Sequence, residues 1–515
     1  SDLLTERDRE WFQKEKQALS PGAKEKTYIQ KFYLYMNLTK PEEFLHISYS
    51  KVSSDGKTLR PAYLVWDLKK LFPKLVVTEE EALLMTQREL TPGEGLEFVI
   101  RGVRDRYLGV DESWKELYTW YRQNEGQKVD RILDAGFFKK KPDALTGEEA
   151  AELYGEKKQF SVTRMERFSA CAYAHFLTYG LHLSDRERYE FEAMDLGNIA
   201  HQSMERFARK AQEKRMPWPK LEEVQRDAMI EESVEESIKD YGNTVLYSTA
   251  RNEYMIVRIK QLIRRSVWAL TRQMEKGDFE PSGYEMNFGS GKIDRVDTCE
   301  DEDVVYVKVT DYKTGMKSFD IVALYHGLQM QLPVYLNAAL ELEERRASGK
   351  TVEPAGIFYY RIKDPIVDRE KDDHALEEKI LKELRLDGMI NAKEEVIEHL
   401  EHQLSGTSVL NPIGKNKDGS LNRYSKVLPP EAFAAMLSYT KKKEAQVKRQ
   451  IYAGEVQANP YELNGSTGCD YCAYRDICGF DPRLDGYAYR SLEKYSKEEV
   501  IRRMEEEIEN REEPS

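Results

Sequence analysis

The residues best placed to do chemistry are Asp311 and Lys313. They close a run in which Val305, Val307 and Val309 alternate with Val304, Tyr306, Lys308 and Thr310. A period of two predicts a strand, on which Asp311 continues the face of the valines and shares it with Lys313. A carboxylate at the edge of a core binds a hard divalent cation. A neighbouring ammonium orients water or neutralises charge on an attacked phosphate. Upstream, Gly291-Lys292-Ile293-Asp294-Arg295-Val296-Asp297 predicts a second strand, and pairing of the two would set Asp294 beside Asp311. Two carboxylates, a backbone carbonyl such as that of Tyr312, and waters satisfy Mg2+. Mn2+ fits as well, especially if His201 joins as a nitrogen ligand. Gln331 and Tyr335, four apart, share a helix face, where they could contact a nucleic-acid backbone or support the lysine. Glu285 is a candidate third carboxylate, evenly balanced against a solvent-facing strand position. An isolated D-x-K is most often a surface ion pair. Together with Asp294, the G-x-x-x-H of Gly197–His201 and the Q-x-x-x-Y of Gln331–Tyr335, it favours a metal-dependent nuclease.

A second chemical feature is the cysteine pattern Cys469-x2-Cys472-x5-Cys478, with Cys171 far upstream. Four thiolates suit either Zn2+ or a [4Fe–4S] cluster. One spaced triplet with a remote first ligand departs from the paired knuckles of zinc ribbons and suits a cluster better. Its expected role is a structural staple between residues near 171 and residues near 470, shielded by Tyr471, Tyr474 and Phe480. Cys299, at a strand end, is read as a free thiol. Gly289-Ser290-Gly291-Lys292 lacks the first glycine and the Ser/Thr of a phosphate loop, so it is read as a turn and ATP hydrolysis is not expected.

These side chains need rigid elements to position them. The chain has 515 residues, 31 of them Tyr, and a formal net charge of −13. That length allows two to four domains with sizeable cores. The acidic balance argues against a nucleic-acid coat, though local basic groups suffice for a nucleic-acid enzyme. Five cysteines are too few for a disulfide scaffold, and no apolar run reaches membrane-spanning length, so a reducing cytoplasm is expected. The start at Ser1, without Met, suggests a piece of a longer protein. Helices are expected over 1–20, 28–38 and 61–75, a strand over Leu45–Ser50, a turn at 53–56, mostly helix to 135, and a linker at Lys139–Asp143. Thr163 and Glu166 predict a capping box opening the helix that carries Cys171. Gly197–Lys210 should be the helix of His201, followed by charged helix to Lys276. Strands are expected at Ser282–Phe288, Lys292–Thr298, Val304–Lys313 and Ala355–Ile362, and a helix over Phe319–Arg346. Helix should then run to Tyr452 around a polar loop at 414–426, and 483–515 should be a charged helix or tail without apolar density.

Six segments, S-x-T-R-M-E-R-F-x-x-C-A-Y at 161–173, L-G-N-I-A-H at 196–201, G-K-I-D-R-V-D at 291–297, D-Y-K-T-G at 311–315, Q-L-P-V-Y at 331–335 and C-D-Y-C-A-Y-R-D-I-C at 469–478, resemble the AddB subunits of bacterial AddAB helicase–nucleases. The likeness is to their C-terminal, RecB-like PD-(D/E)xK nuclease domain. It implies an α/β, restriction-endonuclease-like core, with a mixed central sheet flanked by helices and enlarged by helical insertions. By resemblance, Asp294, Asp311 and Lys313 match the catalytic carboxylates and lysine, His201 the motif histidine, and Gln331 and Tyr335 the accessory pair. Cys171, Cys469, Cys472 and Cys478 match the ligands of a [4Fe–4S] cluster. Leu34–Pro41 with Leu45–Tyr49 is similar to the last motif of superfamily-1 helicases, with Lys40 where an Arg is usual. Lys lacks the planar fork of Arg, which agrees with a helicase fold without a motor. The implied organisation is a helicase remnant over 1–80, a helical connector over 81–155, the nuclease domain over 156–482 and the charged segment 483–515. The implied function is Mg2+- or Mn2+-dependent exonuclease cleavage of the 5′-ended single strand at double-strand breaks, with an AddA helicase–nuclease as partner. Lys415, Lys417, Arg423 and Lys441–Lys443 are candidates to line the path of single-stranded DNA. The competing readings are a stand-alone iron–sulfur exonuclease and a catalytically silent DNA-binding scaffold.

Overall fold

The computed structural model describes all residues except 1–4, 16, 18, 54–56, 79–90, 106–112, 138–143, 156–159, 185–190, 192, 242, 243, 248, 290, 348, 371 and 510–515. The chain divides into two compact units, residues 1–136 and 137–515. The expected linker at 139–143 and most of the expected turn at 53–56 lie outside the described residues.

The first unit is helical. Helices Pro92–Asp105, Trp114–Asn124 and Gly126–Gly136 close on Val99, Val103, Tyr121 and Val129. Helix Ala23–Thr39 leaves Tyr28, Phe32, Tyr33 and Tyr35 exposed. The strand expected over Leu45–Ser50 does not form. Alternation alone does not make a strand, because the backbone needs a neighbouring strand to hydrogen-bond, and none is present here among the described residues.

The second unit is built on a sheet. Its strands are β1 (Glu280–Asn287), β2 (Lys292–Glu300), β3 (Val304–Lys313), β4 (Thr351–Arg361), β5 (Asp387–Asn391) and β6 (Val427–Leu428), lying side by side in that order. β1 and β2 are antiparallel, as are β2 and β3, whereas β3 and β4 are parallel, β4 and β5 antiparallel, and β5 and β6 parallel. The sheet is therefore mixed. β5 and β6 fall where helix was expected, because Asp387-Gly388-Met389-Ile390-Asn391 is too short to show a period. Gly388 is required there: a Cβ would lie 1.9 Å from the Ile357 carbonyl oxygen of β4.

The helices of this unit that bear on the sheet and the site are labelled in chain order α1 (Val162–Ala170), α2 (Ala193–Glu213), α3 (Glu223–Asp240), α4 (Ala250–Met274), α5 (Gln331–Glu344), α6 (Asp373–Glu383), α7 (Glu394–Leu400), α8 (Pro430–Tyr452) and α9 (Lys497–Glu509). Val305, Val307 and Val309 face a core shared with α1, α5, α8 and α9. Tyr306 and Tyr312, from the alternate positions of β3, face a second core shared with α2, α3, α4 and α7. The sheet is thus buried on both faces, as a parallel pair with a crossover helix requires. α5 is that crossover between β3 and β4.

Three expectations about helix ends are corrected. The cap of α1 is Ser161, whose side chain accepts the Arg164 N–H, and Thr163 lies inside the helix. The helix expected over Phe319–Arg346 is interrupted: a short helix, Ile321–Tyr325, ends before Gly327, whose φ is +79, and α5 starts afresh at Gln331. Pro333 fits only in the first turn of a helix, where its missing N–H costs nothing. Finally, α9 is not without apolar density. Val500 and Met504, four apart, are fully buried in the core beside α8. Among the described residues, no helix is long and apolar enough to cross a membrane.

Candidate active site

Asp311 is the point at which β3 leaves the core. It lies on the valine face, paired in register with Tyr359 of β4, and is 1% exposed. On the other side, the β2–β3 ladder ends at Arg295 and Thr310, so Asp294 lies one step past the last pair, opposite Asp311. With the backbone ladder finished, the Tyr312 N–H donates instead to the Asp294 carboxylate, at 2.7 Å. That bond turns Asp294 toward Asp311. The Tyr312 ring goes to the opposite core, against Tyr360.

Lys313 is ion-paired with Asp311 through Oδ2, but off the line of a hydrogen bond. That buried oxygen is left without an aligned donor. Oδ1 accepts from the Gln331 side-chain amide at 2.9 Å, and the same nitrogen lies 2.9 Å from the Tyr335 hydroxyl. Gln331 and Tyr335, one turn apart on α5, therefore fix the orientation of Asp311. From α2, His201 brings Nδ1 to 3.3 Å from Asp294 Oδ2.

Glu285, weighed evenly from sequence, joins the group. One ligand atom each from His201, Glu285 and Asp294 lie within 4.8 Å of one another. Glu285 lies opposite Asp294 but has a left-handed backbone, φ +46. A non-glycine residue there is strained by about 1–3 kcal/mol. The strain coincides with a carboxylate turned in beside Asp294 and His201.

The electrostatics follow from crowding. Burial and the Asp294 charge raise the Asp311 carboxyl well above the usual carboxylate range, against the opposing pull of Lys313. Burial and the Asp294 charge raise Glu285 as well. Burial alone would lower the His201 imidazole, but its bond to Asp294 and the charges of Asp294 and Asp311 outweigh it, and the net shift is upward. His201, Glu285 and Asp294 are therefore gathered within 4.8 Å of one another, Asp311 stands beside them outside that spacing with a buried oxygen that lacks an aligned donor, and two ammoniums attend them, Lys313 on Asp311 and Lys292 3.6 Å from Glu285. This hard, oxygen-rich donor set with one nitrogen fits a divalent ion of the Mg2+ or Mn2+ type.

Sequence reasoning read Glu166 as half of a local capping box and missed its contact with α5. Its carboxylate accepts the N–H groups of Met330, at 2.7 Å, and Gln331, at 3.0 Å, so it caps the start of α5 from another helix. Burial raises its pKa, opposed first by the Lys317 charge. No local pattern signals this contact, because Glu166 and Gln331 are far apart in sequence. Of the basic groups expected to line a DNA path, Lys441 pairs with Glu341 at 2.9 Å and Lys442 donates to the Glu507 carbonyl.

The thiols of Cys171, Cys469, Cys472 and Cys478 gather at the C-terminal end of α1. All are free, and Cys171 is buried with Tyr474 and Leu177. Burial raises the Cys469 thiol to about 11, and the other three thiols add to the rise. The two chain segments are also joined by other bonds. The Ala172 N–H donates to the Asn459 side chain at 2.9 Å, Tyr173 N–H to the Gln457 carbonyl at 3.0 Å, and the Tyr474 hydroxyl to the Leu183 carbonyl at 2.7 Å. Among the described residues, no three of these sulfurs share the 4.8 Å spacing found for His201, Glu285 and Asp294. A single tetrahedral zinc, with bonds of about 2.3 Å, draws its sulfurs closer than that.

Comparison with known proteins gives the family. The family profile described as the PD-(D/E)XK nuclease superfamily matches residues 159–479. Proteins named as the B subunit of an ATP-dependent helicase/deoxyribonuclease are similar over nearly the whole chain. The one from Lachnoclostridium phytofermentans is 36% identical over 97% of this chain and 45% of its own length. That from Caldanaerobacter subterraneus is 32% identical over 94% and 44%, and that from Alkaliphilus oremlandii 31% over 99% and 47%. The chain spans a little under half the length of these curated relatives. The profile covers the sheet, the carboxylates at its edge and all four clustered cysteines, and the chain belongs to the PD-(D/E)XK nuclease superfamily.

Proposed function

We propose that this chain is the nuclease-bearing part of an AddB-type helicase/deoxyribonuclease: a divalent-metal-dependent DNA exonuclease. Its substrate is the 5′-ended single strand, released by an AddA-type motor protein during double-strand break repair. The observation that carries the reading is the convergence of Asp294, Asp311, His201 and Lys313 where the β2–β3 pairing ends. Asp294, Asp311, Glu285, His201 and the Tyr312 carbonyl would hold the ion. When bound, it would supply positive charge to the attacked phosphate and lower the pKa of water. Lys313 meets charge developing on the phosphate, and Gln331 with Tyr335 keeps Asp311 in one orientation. Both classes of partner, single-stranded DNA and the motor protein, are inferred from the relatives' names and the site's chemistry.

The four thiols are proposed to hold a [4Fe–4S] cluster, supported by their number, their partial burial and a spacing wider than one zinc ion imposes.

The test is digestion of end-labelled single-stranded DNA with Mg2+, with and without chelator, by the wild-type chain and by Asp311→Ala. Metal-dependent shortening of the wild-type substrate, reduced by at least about 100-fold in the variant, is expected. Equal digestion by both would reject the site. DNA binding with no digestion under any metal would favour a silent scaffold.

A further inference from the structure

At the other end of β2 from Asp294, a second group of metal-binding side chains gathers. Asp278, Cys299 and His399 each place one ligand atom within 4.8 Å of the others. Asp294 and Cys299 are five residues apart on an extended strand, about 16 Å, so the groups are distinct. Two imidazoles converge on one oxygen: His399 Nδ1 lies 2.8 Å and His402 Nε2 2.7 Å from Asp278 Oδ2. The other nitrogen of His399 faces Asp301, 3.7 Å away. Metal-bound histidines are commonly oriented by such a carboxylate behind them.

The scaffold for these side chains is rigid. The Asp278 N–H donates to the His399 carbonyl and the His402 N–H to the Lys276 carbonyl, each at 2.8 Å. Gly277 lies so close that a Cβ would be 2.4 Å from the His399 oxygen. Cys299 is held in β2 opposite Tyr306, and is 4% exposed. The Tyr306 ring packs 5.7 Å from that of His399. The backbone bonds alone would hold the loop to α7, so loop closure does not explain why a thiol, two imidazoles and a carboxylate meet there.

We propose that Asp278, Cys299 and His399, with His402 as fourth donor, form a second metal site for a borderline-soft divalent ion of the zinc class. One sulfur, two nitrogens and one carboxylate oxygen are donors zinc accepts at about 2.0–2.3 Å, whereas Mg2+ and Ca2+ take oxygen almost alone. Binding releases the Cys299 thiol proton to solvent, and His399 and His402 ligate as neutral imidazoles with the N–H on the nitrogen away from the ion. The ion would clamp α7 and the α4–β1 connection to β2, remote from the hydrolytic carboxylates.

The full chain is loaded with zinc, dialysed against a weak chelator and assayed for bound metal, beside Cys299→Ser and His399→Gln. The expected result is a loss of about one zinc per chain in each variant. Equal zinc in all three proteins overturns the proposal. If the variants do not fold, cadmium NMR of the wild-type chain decides. A resonance in the range for a single thiolate with nitrogen and oxygen donors supports the site, separate from any four-thiolate or all-oxygen signal. Its absence at saturating cadmium overturns it.

Discussion

At the scale of single residues, the site concentrates like charge and holds a strained backbone to do so. Glu285 is the clearest case. Glu285→Gly removes the left-handed strain and the carboxylate together. The variant should be at least as stable as the wild type, by up to about 1 kcal/mol, yet need more Mg2+ for half-maximal cleavage. A thermal melt with a metal titration checks both, and an unchanged metal requirement would remove Glu285 from the site. A different residue sets a pH dependence of stability. His175 is fully buried and accepts from Arg164 Nε at 3.0 Å; burial, then the Arg164 charge, holds its pKa down at about 3. An unfolded histidine titrates near about 6.5. Between these values the unfolded chain binds the extra proton, so its contribution to stability is complete above about 6.5 and declines by about 1.4 kcal/mol per unit as pH falls toward 3. Denaturant melts from pH 7 to 5 should show this slope in the wild type and a shallower one in His175→Gln.

At the scale of elements, two contacts between distant segments set the geometry. Glu166 on α1 caps the start of α5, and Gln331, the first residue of α5, holds Asp311. Glu166→Ala should leave that helix end unsatisfied, costing about 1–2 kcal/mol, and lower the cleavage rate more than the affinity for DNA. Glu166→Gln retains a carbonyl acceptor and should recover most of the rate. Equal rates in Ala and Gln variants would separate the cap from the chemistry. At the other end of the chain, Met504 of α9 is fully buried against the core. Met504→Ala should cost about 2–5 kcal/mol, measured by chemical denaturation. A loss below about 0.5 kcal/mol would mean that α9 is dispensable.

At the scale of the whole molecule, the gathered thiols join the start of the nuclease unit to the segment near 470. A cluster held by them would close that long loop and constrain the unfolded chain, by the same entropy argument that applies to a cross-link. If a cluster is held there, Cys472→Ser should lower the melting temperature and bleach visible absorbance in the same preparation. An unchanged melt would leave the hydrogen bonds of Asn459, Gln457 and Tyr474 as sufficient staples. The second unit is a sheet buried on both faces, with its proposed chemistry at the edge where Asp294 and Asp311 emerge. The helices that bury the sheet also deliver His201 and Gln331 to it.

Much of this was legible in the sequence because it is local. The period of two over Val304–Lys313 determined that Asp311 and Lys313 share the valine face, and the four-residue spacing of Gln331 and Tyr335 placed both on one helix face. The motifs pointed to the superfamily that the family profile shows. What sequence left open depended on partners remote in the chain. Leu45–Ser50 alternates but found no neighbouring strand among the described residues, while β5, too short to show a period, was made a strand by β4. Glu166 looked like a local cap and serves a helix far away. Val500 and Met504 looked isolated among charges until α8 covered them. Side-chain spacing within an element follows from backbone geometry alone, whereas the occupant of a strand edge or a helix end is decided by what the completed fold brings against it.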